Sequence, residues 1–295
     1  HPGAIPSGLR EEDFAKRFNA LSEPSGQKPP VESVKRLTYW GNVQKMIRTA
    51  PMSALRFLGG YLTPGGLKRA LEGIRRSRMI RARDSFYDAH AIDPDFSKKF
   101  VYLPLHFQPE ASTVPMGGAF SNQSLVAALL NTHLPDDVLI YVKEHPRASS
   151  WLARTVPMYK ELLAMEKVRF IRRSADTFAL RENCVAVATV TGTAGFEGLF
   201  RGKPVFLFGY RFYQYARGVH RIRTTEDMKA AIRSVFIEGK KPSLVEARLY
   251  LKAMEETGMR GILNPWHMKV SRLTEEEHVK NNSEAILREL EKLVV

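Results

Sequence analysis

From residue 99 onward the apolar positions fall into short unbroken runs separated by amphipathic stretches. The runs at 100–105, 138–142, 168–171, 184–190 and 204–208 are rich in β-branched and aromatic residues and read as strands. Between them, 122–131, 157–166, 174–183 and 195–200 carry helical spacing. Ser174 is expected to cap the third of these helices, with Asp176 in its first turn. Continuous rather than alternating hydrophobicity points to strands covered on both faces, as in a parallel sheet. Regular alternation of strand and helix implies βαβ units with right-handed crossovers. The expected fold is therefore α/β, a Rossmann-like parallel sheet.

The flanks have a different texture. Residues 1–97 show no convincing strand and read as helices at 11–21, 31–49 and 66–83, broken by proline and glycine. The tail is helical at 225–238, 243–257 and 274–293. The expected division is a helical basic N-terminal region, 1–97, followed at 98–295 by the sheet domain with C-terminal helices. His1-Pro2-Gly3 has neither an initiator Met nor a signal-peptide pattern, and reads as a boundary with further sequence upstream.

Composition narrows the classes. Among 295 residues, 44% are apolar and 26% charged, the balance of a folded globular chain. One cysteine, Cys184, excludes an internal disulfide and a cysteine zinc site, and fits a reducing compartment. No apolar run reaches the length of a membrane span. The net charge of +14 is the unusual number, leaving nucleic acid, anionic membrane or phosphorylated substrate as partners. Arg75, Arg76, Arg78, Arg81 and Arg83 form a local peak that would suit an anionic lipid surface, or a solvated helix face. Nucleic acid is disfavoured, because no basic motif interleaved with aromatics and no reader fold is evident.

Three segments could carry chemistry, each just past a predicted strand, where open α/β sheets bind ligands. In the first, Thr191, Gly192, Thr193, Ala194 and Gly195 form a small-residue turn into a helix, followed by Glu197 and then Gly202-Lys203-Pro204. Small residues admit a ligand close to the backbone, a helix N-terminus favours phosphate, and Glu197 could accept ribose hydroxyls. A tight β–α turn without ligand is the alternative. Neither a Walker A loop nor Gly-x-Gly-x-x-Gly is present. In the second, Lys143, His145 and Arg147 surround Pro146 and would converge on phosphate. The third groups His106, Gln108 and Glu110, and its carboxylate could serve as a general base. Tyr213, past the fifth strand, could stack on a base or sugar, or pack as a core aromatic. The remaining histidines show no metal-ligand spacing, and no metal or cofactor is expected.

Together, residues 100–110, 141–146 and 189–209 resemble the capsule polysaccharide biosynthesis proteins, a group that includes the bacterial β-Kdo transferases. The family pattern is a Gln-containing loop with an acidic residue, Lys-x-His-Pro, then Thr/Ser-x-Thr-Gly-Phe-Glu followed by Gly-Lys-Pro-Val. The resemblance implies a GT-B-like nucleotide-sugar domain and an inverting, metal-independent glycosyltransferase using a CMP-Kdo-like donor. It implies Glu110 as base or acceptor-site carboxylate, with His145 at the catalytic centre. Gln108 would be a substrate contact, beside His106 and Tyr213. Lys143 and His145 would hold the donor phosphate, and Thr191, Gly192, Thr193 and Glu197 would cradle the nucleotide. The acceptor would be a glycan or glycolipid, and the location cytoplasmic, peripheral on the inner membrane. The family loop often carries Asp where this chain has Glu110, and residues 1–97 do not read as the N-terminal Rossmann-like domain of a full GT-B enzyme. The alternative is a non-catalytic nucleotide-sugar-binding or assembly subunit of a polysaccharide export complex.

Overall fold

The computed structural model describes residues 64–108, 113–145, 148, 154–258, 260–261, 271 and 273–292. The helices expected at 11–21 and 31–49 lie outside them. Two compact units are present: residues 64–247, and residues 1–63 with 248–295.

The first unit is built on seven parallel strands: β1 (Ala91–Ile92), β2 (Lys99–Pro104), β3 (Val138–Lys143), β4 (Val168–Ile171), β5 (Ala186–Thr189), β6 (Val205–Leu207) and β7 (Val219–Arg221). Their spatial order is β1-β4-β3-β2-β5-β6-β7. The five expected strands are all present. β1 and β7 are additional edge strands of two and three residues, too short to show a hydrophobic run. β1 arises within the segment read as strandless, and pairs with β4 through Ala91 opposite Phe170. The chain walks from β2 outward to β3 and β4, then returns to the other side of β2 as β5. The sheet is therefore an open, doubly wound α/β fold whose winding reverses between β2 and β5, the place where such sheets leave a crevice.

Among the described residues the α-helices of this unit are α1 (Pro64–His90), α2 (Gln123–His133), α3 (Val156–Leu163), α4 (Thr177–Asn183), α5 (Thr193–Leu199) and α6 (Thr225–Ile232), and α7 (Leu244–Thr257) begins at its end. Strand pleating sorts the core into two layers. Val101, Leu103 and Leu105 face a large cluster with Tyr87, Val126, Leu130, Tyr159 and Phe170. Phe100 and Tyr102 face a smaller one with Tyr141, Leu180 and Val187. Both faces are buried, which is why these strands are continuously apolar.

Local details refine the expected boundaries. The cap of α4 is Asp176, not Ser174: its carboxylate accepts the Phe178 N–H at 2.8 Å. The helix expected at 225–238 is α-helical to Ile232 and then widens into a π-helical turn, Arg233–Ile237. In the second unit, α8 (Glu275–Glu291) starts with a reciprocal capping box between Thr274 and Glu277. No helix among the described residues is long and apolar enough to cross a membrane.

Candidate functional site

The crevice at the winding reversal is a cavity with two contiguous lobes of about 250 and 160 Å³. Both lobes share Pro104 at the end of β2 and Leu105 just past it, His145 after β3, and Thr193 and Ala194 at the start of α5. The larger lobe adds His106, Thr189, Thr191, Gly192 and Arg211. The smaller adds Lys143, Glu144, Thr177, Arg181 and Glu197. The predicted segments after β2, β3 and β5 thus meet at one place. Among the described residues, no group of three or more His, Cys, Asp or Glu side chains could hold a metal ion.

The smaller lobe is defined by Lys143. This side chain is 4% exposed, yet among the described residues no carboxylate pairs with it. Burial pulls its ammonium below the usual lysine range, a tendency that Asp176 and Glu144 oppose from a distance. A buried cation without a counter-ion is costly unless something else supplies the charge. Pleating explains the vacancy of partners. Lys143 falls on the sheet face of Tyr141 and α4, whereas Glu144 falls on the opposite face with Tyr87 and Tyr159. Adjacent opposite charges in the chain are therefore kept apart by the strand itself. Across the lobe, Glu197 is clasped by Arg181, whose guanidinium lies 4.6 Å from the Phe178 ring centroid. Glu197 reaches the cavity, but as half of an ion pair rather than as a free acceptor for ribose.

Beneath the lobes lies a buried ion-paired layer, in which the Arg154 Nε alone of that guanidinium has no hydrogen-bond partner. Glu144, 1% exposed, accepts the Arg154 Nη1–H at 2.7 Å, the Tyr159 hydroxyl and the His145 N–H at 2.6 Å. Arg154 also donates from Nη2 to the His106 carbonyl. The Gln123 Oε1 accepts the His106 N–H at 2.7 Å. One buried arginine therefore ties the loop after β2 to the loop after β3. Behind it, Arg83 is buried, paired with Asp84 at 2.7 Å and bonded to the Ala148 carbonyl at 2.8 Å. This corrects the reading of the arginine run as a uniform surface: Arg75, Arg76, Arg78 and Arg81 are exposed, while Arg83 is internal.

The larger lobe is organised by His106 and Thr189. The His106 Nε2 lies 2.9 Å from Thr189 Oγ1 and 3.3 Å from the Thr191 nitrogen. A backbone N–H can only donate, so Nε2 accepts and the neutral ring carries its proton on Nδ1. Burial, reinforced by the positive charge of Arg154, His145 and Arg211, pushes the imidazole down to about 4. Thr189 Oγ1 in turn accepts the Gly192 N–H at 2.9 Å. A Cβ on Gly192 would sit 2.7 Å from that oxygen and 3.1 Å from the His106 ring, so only glycine lets the turn close. The turn ends in α5, which is only seven residues long. Arg211 completes the lobe. Its Nε is buried with no hydrogen-bond partner, and its guanidinium lies 5.5 Å from the Phe212 ring.

Not every expected residue reaches the cavity. Tyr213 is buried and donates its hydroxyl to the Gly192 carbonyl, with its ring stacked on Phe196 at 5.7 Å. It braces the turn and has no face for a base or sugar. Gln108 donates to the Ser121 carbonyl at 2.6 Å and does not line either lobe. Gly195 is buried in the wall, where a Cβ would meet the Tyr213 hydroxyl at 2.7 Å. Glu110 and Arg147 lie outside the described residues. Sequence reasoning missed Thr189, Arg154, Arg181 and Arg211. Thr189 had a signal, at the head of the 189–209 segment, and so did Arg211, just past a strand; Arg154 and Arg181 had none.

No curated protein matches the chain. Solved structures share parts of the fold. A β-Kdo 2,7 transferase chain of KpsC from Thermosulfurimonas dismutans is 20% identical, covering 68% of this chain and 64% of its own, with a TM-score of 0.37. The β-Kdo 2,4 transferase chain of the same protein is 19% identical, covering 59% and 54%, at 0.35. A UDP-GlcNAc 2-epimerase of Methanocaldococcus jannaschii is 15% identical, covering 60% and 49%, at 0.39. The chain thus spans less than two thirds of each of these structures. The family described as "Capsule polysaccharide biosynthesis protein" matches residues 16–260, a span holding every strand of the sheet and both lobes of the cavity. By that match over most of its length, the chain belongs to the capsule polysaccharide biosynthesis protein family.

Proposed function

We propose that the cavity binds the nucleotide-activated donor of a glycosyl transfer in capsule polysaccharide synthesis. The observation that carries this reading is Lys143, a buried cation without a carboxylate partner among the described residues, lining a partly open lobe. Arg211 holds a second positive charge in the other lobe, without a carboxylate partner among the described residues. Two separated cations suit a donor with one phosphate and one sugar carboxylate, as in a CMP-Kdo-like molecule, with His145 between them. Thr193 and Ala194 line both lobes of the same space.

In this reading the reaction is an inverting displacement that uses no metal ion. Glu110 takes the proton of an acceptor hydroxyl, and that oxygen attacks the anomeric carbon. The bond from this carbon to the phosphate oxygen breaks, and the nucleoside phosphate leaves with both bonding electrons. Lys143 and His145 stabilise the charge that develops there. Thr191 and Gly192 shape the wall, and Glu197 with Arg181 borders the donor. The acceptor is a glycan or glycolipid, and the exposed Arg75, Arg76, Arg78 and Arg81 on α1 suit peripheral contact with the anionic inner face of a membrane.

Calorimetry with CMP and UDP, followed by a transfer assay, tests the proposal. CMP should bind the native chain, and Lys143→Met should weaken binding at least tenfold. Glu110→Gln and His145→Ala should each abolish transfer while CMP still binds. Binding without turnover by the native chain would mark a donor-binding subunit instead, and no nucleotide binding at all would sink the reading.

A further inference from the structure

Past β6, residues 209–223, of which Arg211 lines the larger lobe, contain four arginines and four aromatics but no Asp or Glu. Tyr213 is the buried member; Tyr210, Phe212 and Tyr215 are 60%, 44% and 70% exposed. Ile222 is fully buried between Arg221 and Arg223, so the extended backbone turns both arginines outward on one side. Each lies over an exposed ring: Arg221 at 4.9 Å from the centroid of Tyr215, and Arg223 at 4.5 Å from that of Tyr210. The two pairs stand about 6–7 Å apart along the chain, the rise of two extended residues. Arg223 is fixed by donating to the Phe208 carbonyl at 2.7 Å and the Gly209 carbonyl at 3.1 Å. Among the described residues, none of Arg211, Arg217, Arg221 and Arg223 forms an ion pair with a carboxylate. The row begins beside Arg211 at the mouth of the larger lobe.

Three exposed rings are a large apolar area for a surface loop, and they alternate with guanidinium groups that have no carboxylate partner among the described residues. This chemistry matches a ligand with apolar C–H faces and regularly spaced anionic groups. Rings take the faces of sugar residues, and the planar guanidinium takes carboxylates in bidentate fashion. We propose that this strip binds an anionic polysaccharide, with Tyr210 and Tyr215 as stacking platforms and Arg221 and Arg223 as carboxylate contacts. It rests on the reading of the cavity only in taking that polysaccharide as the acceptor or product of transfer; binding itself does not depend on turnover. Single-stranded nucleic acid also combines stacking with arginine contacts, and is the competing outcome.

The experiment uses the full chain and three probes: an oligogalacturonate, a neutral malto-oligosaccharide of equal length, and a uridylate oligomer. The oligogalacturonate is expected to bind in a salt-sensitive manner, at least tenfold more tightly than either other probe. Tyr215→Ala with Arg221→Ala should weaken it at least tenfold without changing CMP binding or the melting temperature. Both positions are exposed; should that double variant not fold, Arg221→Glu alone should give the same loss. Unchanged oligogalacturonate affinity in the folded variants overturns the proposal. Equal affinity for the neutral sugar does so too, as does tighter binding of the uridylate oligomer. Strip-dependent oligogalacturonate binding by a chain that ignores CMP would leave the strip standing and remove the reading of the cavity.

Discussion

The floor and the walls of the cavity hold the same kind of residue in opposite conditions. On the floor, Glu144 is ion-paired with Arg154 and accepts the Tyr159 hydroxyl, and Arg83 is paired with Asp84. On the walls, Lys143 and Arg211 are positive and unpaired among the described residues. A floor that closes its own charge balance fixes loop geometry. A wall that leaves its charge open has a deficit that only a ligand can fill. The difference separates structural from functional charge within a few residues of chain.

The largest expected effect comes from breaking the floor. Arg154→Met leaves Glu144 buried without its cation and should cost about 3–5 kcal/mol, read by denaturant unfolding. Adding Glu144→Leu should recover most of that loss, because a buried pair exchanged whole for apolar groups is close to neutral. No recovery would show that the floor is more than a balanced pair.

Acid should break the contact between floor and wall at His106. Unfolded, the imidazole binds a proton near 6.5, and in the native chain only near 4. Its contribution is therefore complete above pH 6.5 and is lost as pH falls from 6.5 to 4, in total about 3 kcal/mol. His106→Gln should flatten stability across that window in urea titrations at stepped pH.

The wall should respond in the opposite sense from the floor. Lys143→Met should leave stability unchanged or slightly raised, because no ion pair is lost, while CMP binding falls ten- to a hundredfold, about 1.4–3 kcal/mol. A marked loss of stability would show that Lys143 belongs with the floor. The smallest effect is expected at Thr189→Val, which keeps the shape but removes the oxygen between His106 and Gly192. It should cost about 1–2 kcal/mol by thermal unfolding.

Much of the fold was legible because parallel strands buried on both faces must be continuously apolar, and the five runs announce themselves. β1 and β7 were not, since two or three edge residues carry no pattern. The site was half legible. The loops after β2, β3 and β5 are recognisable by their place past a strand, and they do meet. Tyr213 and Gln108 have the right chemistry for ligands but are turned inward to brace the turn and the Ser121 carbonyl. Arg154 lies ten residues beyond Glu144, and nothing in that spacing announces their contact.

By itself, then, the sequence determined the α/β class, the positions of the central strands and the clustering of Lys143, His106 and His145 at one end of the sheet. Hydrophobic period and strand–helix alternation are local properties, and they are enough for that. Only the tertiary structure decided which charges are spent on the fold. Lys143 and Glu144 are neighbours in sequence and opposite in charge. The pleat sends one to the Arg154 floor and the other to an open lobe, because successive side chains of a strand emerge on opposite faces.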